Sequence, residues 1–188
     1  MKTLLTMTLL VLPALAQDPS AIARATAACG PPDQYFEVKI DKSNHPLGQP
    51  ESGKALVYII QADESGATNF WGHSTSVITR LGLDGAWIGA NKGRSYFFFN
   101  VAPGDRHLCA DYPSDTDEIQ YALVSVTRFT AAPGKIYYFR VRLTGNGCGS
   151  STHPSSCRPT QLDIETVDED KGQFLVASSR FSRSHAQN

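Results

Sequence analysis

The sequence predicts an all-β protein, an antiparallel β-sandwich with a short N-terminal helix and a short C-terminal helix. The tripeptide Ala-Pro-Gly occurs twice, at residues 102–104 and 132–134, and each copy separates two strand-like runs. In a tight turn, proline presets φ at the second position and glycine accepts the positive φ of the third. The other runs are also short, strand-like and bounded by turn residues. We therefore expect a sheet built from consecutive hairpins.

Residues 1–16 have the pattern of a secretory signal peptide. Lys2 precedes an uncharged apolar run over residues 4–15, and small residues lead up to a cleavage point after Ala16. The run is shorter than the roughly 20 residues that span a bilayer. We expect cleavage after Ala16, no transmembrane segment, and export to the periplasm or the cell exterior.

The four cysteines favour disulfides, because an even number in an exported chain is typical of a disulfide framework. Cys148 and Cys157 bracket a loop of glycine, serine, threonine, histidine and proline, so we expect a local bridge there. That bridge leaves Cys29 to pair with Cys109, which would tie the N-terminal arm to the sheet.

A rival interpretation makes Cys29 a lipidated cysteine. Asp18 and Arg24 separate it from the apolar run, and Thr26 stands where such motifs usually have a large aliphatic residue. Both features argue against a lipoprotein.

Residues 17–52 are predicted to be an N-terminal arm and linker. The alanine-rich stretch 20–28 favours a short helix, which ends at the Gly-Pro-Pro of residues 30–32. Residues 35–40 alternate like an edge strand. Residues 41–53 contain two prolines and two glycines, so we expect a crossing over the surface.

The β-sandwich domain is predicted over residues 53–181. Residues 55–61 are almost continuously apolar, which is typical of a strand buried on both faces. Residues 95–101 carry bulky side chains on both faces, so we expect this strand near the centre of a sheet. After the first Ala-Pro-Gly turn, residues 106–111 form the next strand.

A hairpin is also predicted from residues 76–83 to residues 86–90, because Asp84 and Gly85 are typical of a two-residue hairpin turn. Trp87 lies in its second strand and is expected in the core. One face of its first strand is predicted to hold Val77, Thr79, Leu81 and Leu83.

The second Ala-Pro-Gly turn joins predicted strands over residues 119–130 and 135–144. In the return strand two sets of side chains alternate with a period of two, which predicts one buried face and one wetter face. The buried set is Tyr137, Phe139, Val141 and Leu143, and the wetter set is Tyr138, Arg140 and Arg142.

Residues 161–167 are predicted to be the last strand. The acidic residues 168–170 favour the start of a helix, which would face the sheet with Phe174, Leu175 and Ser178. Residues 182–188 are predicted to be a tail, and Arg180 and Arg183 are expected to be solvated.

Four segments, in their order and spacing, resemble the DUF2846 family, a group of bacterial and usually exported domains without an assigned function: residues 53–58, 83–89, 96–104 and 134–138. The resemblance extends over residues 53–175. It implies a small β-sandwich of the prealbumin or immunoglobulin-like type, and it carries no catalytic residues. The loop between Cys148 and Cys157 departs from many members of the family.

Charge and ligand patterns predict neither nucleic-acid binding nor a metal or other cofactor. The formal net charge is −1, so no basic field draws in nucleic acid. Cys148, His153 and Cys157 are only three zinc ligands, and export favours a disulfide. The acidic residues Asp111, Asp115, Asp117 and Glu118 lack the glycine and distal glutamate of a calcium loop, so we expect a solvated acidic turn.

Catalysis is not expected, because the sequence has no Gly-x-Ser-x-Gly elbow for a hydrolase nucleophile. A hydrolase using His73, or His107 with Asp111, is the least favoured hypothesis. The leading hypothesis is a non-enzymatic interaction or accessory module of the bacterial envelope, with an envelope protein or a polysaccharide as its partner.

The strongest binding candidates are Phe70, Trp71 and His73, in a segment between two predicted strands. Aromatic residues on a loop stack on sugar rings or anchor a protein partner. The alternative hypothesis is therefore a carbohydrate-binding module, and the structural alternative is that Phe70 and Trp71 fold back to cap the core.

Overall fold

Two packed β-sheets make up the protein. A computed structural model describes residues 19–62, 78–112, 123–145 and 159–187; the predicted signal peptide lies outside these ranges. The elements in chain order are α1 (Pro19–Thr26), β1 (Tyr35–Asp41), β2 (Ala55–Gln61), β3 (Ile78–Leu83), β4 (Ala86–Lys92), β5 (Ser95–Val101), β6 (Gly104–Tyr112), β7 (Leu123–Ala131), β8 (Ile136–Gly145), β9 (Pro159–Val167), α2 (Glu169–Ala177) and β10 (Arg180–Gln187).

The strands form a six-stranded sheet, in the order β1-β10-β5-β2-β8-β9, and a four-stranded sheet, in the order β4-β3-β6-β7. The all-β sandwich with short helices is therefore confirmed. Most neighbouring strands are antiparallel, but β10 is parallel to β5 and β2 is parallel to β8. The predicted edge strand and central strand are β1 and β5.

The two Ala-Pro-Gly turns are not the corners of hairpins, which corrects the prediction. The first leads from β5 in one sheet to β6 in the other, and the second leads back from β7 to β8. Gly104 and Gly134 have the positive φ that the turns require, 111° and 72°. A Pro-Gly turn reverses the chain but does not determine strand pairing, and both edges of β5 are already occupied by β2 and β10.

The two turns lie beside each other, because Gly104 is opposite Ala131 in the β6–β7 ladder. The second turn also bonds to the chain that precedes β2: Gly134 donates its N–H to the carbonyl of Lys54 at 2.8 Å. Arg106 Nε donates to the Ala102 carbonyl at 2.9 Å and so holds the first turn. We call this end of the sandwich the turn end, defined by residues 51–54, 84–85, 102–104 and 132–135.

The predicted Asp84-Gly85 hairpin is confirmed between β3 and β4. Asp84 and Gly85 have φ values of 52° and 93°, as a two-residue turn of type I′ requires. Asp84 also accepts the His107 N–H at 2.8 Å through Oδ1, which attaches the hairpin to β6.

The main core lies between the sheets and follows the predicted alternation in β8 at three positions. Phe139, Val141 and Leu143 are buried there, as are Ala55, Val57 and Ile59 of β2, Leu81 of β3, and Leu108 and Ala110 of β6. Tyr137 is only half-buried, and Tyr138, predicted on the wetter face, is instead buried beneath α2. Every residue of β2 is buried, which confirms the strand predicted to be covered on both faces. Its other face belongs to a second cluster beneath α2.

The N-terminal arm crosses the outer face of the four-stranded sheet and is bonded to it covalently. Cys29 and Cys109 form a disulfide with a Cα–Cα distance of 5.2 Å, which confirms the predicted pair. With a sequence separation of 80 between the cysteines, the chain-entropy model gives a stabilisation of about 4–5 kcal/mol. Trp87, predicted in the core, is instead half-buried beneath this arm and donates Nε1–H to the Pro31 carbonyl at 2.7 Å.

Arg80 is the charged anchor of the same arm. Its guanidinium is ion-paired with Asp111, and the two side chains are only 8% and 6% exposed. Arg80 Nη1 also donates to the carbonyls of Pro32 at 3.0 Å and Gln34 at 2.6 Å. The guanidinium lies 4.5 Å from the centroid of the Trp87 ring. Asp111 is therefore not part of a solvated acidic turn, because β6 carries it to the face that Arg80 occupies.

The outer face of the six-stranded sheet is covered by the predicted linker and by α2. Beneath them lie three buried tyrosines, Tyr58, Tyr96 and Tyr138. Tyr96 donates its hydroxyl to the Pro46 carbonyl at 2.8 Å, and Tyr58 accepts the Gly48 N–H at 2.8 Å. The linker is thus fastened to the sheet by tyrosine hydroxyls.

The C-terminal helix begins as predicted, because Asp168 is its N-cap and accepts the Lys171 N–H at 2.9 Å. Leu175 is buried as expected, but Phe174 is 66% exposed and does not face the sheet. Gly172 occupies that face instead. A Cβ at Gly172 would lie 2.2 Å from Cγ of Tyr138, so only glycine allows this approach.

The prediction of a tail is wrong, because residues 180–187 form β10, which pairs with β1 over residues 181–187. Ser182 donates its hydroxyl to the Ala90 carbonyl at 2.9 Å, and Ser184 accepts the Ala90 N–H at 3.0 Å. These inward serines bond to a strand of the other sheet, although in sequence they look like a polar tail. Arg183 is not simply solvated, since it pairs with Asp41 at 2.8 Å.

We predict that Asp111→Ala lowers the free energy of unfolding by about 3–5 kcal/mol, because it leaves the Arg80 charge buried without a carboxylate. Urea unfolding followed by tryptophan fluorescence measures this. Lys39→Ala is the control: it removes a pair with Glu37 that is 68% and 48% exposed and should cost about 1 kcal/mol at most. Equal effects of the two substitutions would contradict the assignment of Arg80 as an anchor.

We also predict a loss of stability at alkaline pH. Burial, followed by the neighbouring Tyr58, raises the pKa of Tyr96 to about 12, whereas an unfolded tyrosine titrates near about 10. The stabilisation from neutral Tyr96 is therefore complete below pH 10 and is lost as the pH rises from about 10 to about 12. Urea unfolding across this range should show Tyr96→Phe losing less stability with pH than the parent.

Tyr35→Phe is the control, because Tyr35 is 57% exposed. If the Tyr35→Phe and Tyr96→Phe variants lose stability with the same pH slope, buried Tyr96 does not cause the alkaline transition.

Candidate functional site

The end of the sandwich opposite the turn end carries its long connections. β2, β6 and β8 finish at this end, and β3, β7 and β9 begin there. We call it the loop end. The connecting residues 63–77, 113–122 and 146–158 lie outside the described residues. The predicted binding residues Phe70, Trp71 and His73 belong to the first connection, and Cys148, His153 and Cys157 belong to the third.

A buried layer of polar side chains closes the core at the loop end. Gln61 lies opposite Ser95 in one sheet, and Thr79 lies opposite Asn91 in the other. None of the four is more than 1% exposed. Hydrogen bonds of Asn91 and Ser95 hold the interior at this end, whereas the Thr79 hydroxyl has no hydrogen-bond partner among the described residues.

Asn91 joins the two sheets within this polar layer. Its Nδ2 donates to the Ile59 carbonyl at 3.3 Å, and its Oδ1 accepts the Ser95 hydroxyl at 3.3 Å. Ser95 in turn accepts the Lys92 N–H at 3.1 Å, which fixes the turn between β4 and β5. The loop end thus rests on a hydrogen-bonded polar floor.

His107 and Asp111, the pair considered for hydrolysis, are not brought together. Both are on the outer face of β6, but four positions along a strand separate them by about 13 Å, and Asp111 is bonded to Arg80. Burial lowers the pKa of His107; Arg128 lowers it further and Asp84 opposes this. His107 lines a groove against α1 instead. His73 lies outside the described residues.

Neither a metal-binding cluster nor a membrane-spanning helix occurs among the described residues. In those ranges, no group of three or more histidine, cysteine, aspartate or glutamate side chains is arranged to hold a metal ion. Neither helix of the described chain is long and apolar enough to cross a membrane.

Sequence reasoning missed the polar floor and the arginine anchor. Gln61 ends an apolar run, and Asn91 and Ser95 flank a glycine turn, so each resembles an ordinary strand terminus. Only the packing of the sheets shows that these residues share one layer. A weak signal existed in Arg80, a charged residue inside an apolar β3 pattern.

Comparison with known proteins finds no relative of this chain. No protein-family model, no curated protein and no solved structure matches the chain. The resemblance to the DUF2846 family is neither supported nor contradicted and stays a prediction.

We predict that Asn91→Ala loosens the loop end specifically. Loss of its bonds to Ile59 and Ser95 should lower the free energy of unfolding by about 1–3 kcal/mol. Amide hydrogen exchange should accelerate at Thr79 and Ser95 and remain unchanged at the turn end. Asn100→Ala is the control, because Asn100 bonds to Glu51 at an exposed position of the turn end. Acceleration spread evenly over both ends would contradict a local role for Asn91.

Proposed function

We propose that this protein is an exported, non-enzymatic binding module of the bacterial envelope, and that its loop end carries recognition. The observation that carries the proposal is the difference between the two ends of the sandwich. Tight turns make up the turn end, whereas the connections over residues 62–77, 113–122 and 146–158 emerge from the loop end. Binding residues on sandwich folds are concentrated on such loops, held out by a rigid scaffold.

The described scaffold suits this role because the loops start from fixed strand ends. The polar floor bonds Asn91 to β2 and β5 directly beneath the loop end. The arm disulfide and the buried Arg80–Asp111 pair stabilise the four-stranded sheet from outside. A scaffold stabilised in this way supplies strand ends that do not have to be ordered when a partner binds the loops.

Export is supported by the disulfide between Cys29 and Cys109, since such bonds persist in oxidising compartments. It is further supported by the signal-peptide pattern of residues 1–16. A non-enzymatic role is supported by the separation of His107 from Asp111, whose carboxylate is committed to Arg80.

A carbohydrate-binding module is the second candidate function. Phe70, Trp71 and His73 lie in the connection between β2 and β3, and that connection belongs to the loop end. Aromatic rings stack on the apolar faces of sugars and also anchor protein partners. The two candidates therefore share a location and differ in the partner, an envelope protein or a polysaccharide.

We predict that Trp71→Ala abolishes partner binding and leaves the fold intact. The parent and the variant are compared on an array of bacterial envelope glycans, and by affinity capture from envelope extracts with mass spectrometry. Loss of an interface aromatic should weaken binding at least about tenfold. Phe174→Ala is the control, because Phe174 is an exposed aromatic on α2, outside the connection that contains Trp71.

A glycan signal lost only in Trp71→Ala assigns the carbohydrate-binding function, and a captured protein lost only in that variant assigns a protein partner. A partner retained equally by both variants would refute recognition through this segment.

A further inference from the structure

The six-stranded sheet ends on one side at β1. Within the described residues β1 pairs only with β10, and residues 35–41 contain neither a proline nor a shift of register. An edge strand presents a row of unpaired backbone N–H and C=O groups, which another strand can extend. Prolines and bulges commonly protect such edges. Since β1 has neither, its outer edge is open to a further strand.

The other sheet edges are joined across the corners of the sandwich. At one corner β9 meets β7, and Ile164 donates its N–H to Ser125 Oγ at 3.1 Å. At the other corner β4 meets β10, where Ala90 bonds to Ser182 and Ser184 through its carbonyl and its N–H. Among the described residues, β1 is therefore the sheet edge without a bond of this kind.

The side chains of β1 are complementary to a second copy of the same strand. An antiparallel pairing centred on Val38 places Glu37 of each copy opposite Lys39 of the other. The same register places Phe36 opposite Ile40. Facing pairs of opposite charge and of apolar side chains stabilise a sheet, whereas like charges destabilise it. Centring the pairing on Glu37 or on Lys39 would set like charges opposite each other, so the sequence selects the register centred on Val38.

The charges around β1 favour the same arrangement. Glu37 and Lys39 are 48% and 68% exposed and contact each other at 3.2 Å, and such exposed pairs are weak enough to exchange partners. On the β10 side, Lys39 lies opposite Arg183 and Glu37 lies opposite His185. Arg183 is paired with Asp41 at 2.8 Å. Lys39 therefore has a cation on its paired side, and a carboxylate on its open side complements it.

We propose that β1 is a self-association edge, through which two copies of this chain pair antiparallel about a two-fold axis at Val38. Each copy contributes the same surface, as a two-fold interface requires, and the two six-stranded sheets become one continuous sheet. β1 runs from the turn end towards the loop end, since it is antiparallel to β10 and β10 is parallel to β5. The loop ends of the two copies therefore point in opposite directions.

This inference does not depend on the proposed binding function, because none of its residues belongs to the loop end or to the polar floor. A failure of the Trp71→Ala experiment leaves the self-association edge unaffected, and a failure here leaves the loop end unaffected.

The test is sedimentation velocity of the protein from micromolar to millimolar concentration, because pairing of one short strand is a small interface and the dimer is weak. The parent should show a monomer–dimer equilibrium, with concentration-dependent ¹H–¹⁵N NMR shifts at residues 35–41. Glu37→Lys and Lys39→Glu each set two pairs of like charges opposite each other and should weaken the dimer at least about tenfold. Lys54→Glu is the control, because it reverses a charge in an exposed pair with Glu51 outside β1.

A mixture of the two β1 variants provides the sharpest measurement. When Glu37→Lys pairs with Lys39→Glu, each charged position again faces its opposite, so heterodimers should form with about the affinity of the parent. Circular dichroism checks that each variant is folded.

The proposal is overturned if the parent stays monomeric at every concentration, or if the mixture forms no heterodimer. It is also overturned if Lys54→Glu weakens the dimer as much as Lys39→Glu. A monomeric parent that instead binds an extended segment of another protein along β1 would assign the edge to that protein and refute self-association.

Discussion

The buried ion pair between Arg80 and Asp111 is the interaction on which the arrangement of the N-terminal arm depends. A guanidinium cannot lose its charge inside a protein, so burial requires hydrogen-bond acceptors for its N–H groups. Asp111 supplies one from β6, and the carbonyls of Pro32 and Gln34 supply the others. The four-stranded sheet is therefore complete only with the arm in place. The Trp87 ring also fixes the position of the arm, because it lies beneath the arm and donates its Nε1–H to the Pro31 carbonyl.

This constraint explains why the chain does not divide into an arm and a separate sandwich. After crossing Arg80 the arm becomes β1, which closes one edge of the six-stranded sheet through its pairing with β10. The linker that follows then covers the tyrosine cluster on the other outer face. One continuous segment thus covers parts of both outer faces, and the buried charge on one face is linked through β1 to the hydroxyl bonds on the other.

Local patterns predicted the features of the fold that depend on few residues. The apolar run of β2 and the Asp84-Gly85 turn each follow from a short window, and both are confirmed. The alternation in β8 is confirmed for Phe139, Val141 and Leu143 but is wrong at Tyr138, which α2 buries. Pairings between distant strands were not predictable in this way. β10 is mostly polar apart from Phe181, and its place in the sheet follows from β1 and β5 on its two sides.

The two ends of the sandwich are stabilised by different kinds of contact. The arm, the linker and α2 act on the two outer faces, and the turn end is fixed by bonds such as that from Gly134 to Lys54. Beneath the loop end the core instead ends in a polar layer held across the sheets by Asn91. Because this layer lies within the strands themselves, the strand ends are positioned by contacts that do not involve the loops. Changes of loop sequence are therefore expected to cost the fold little stability.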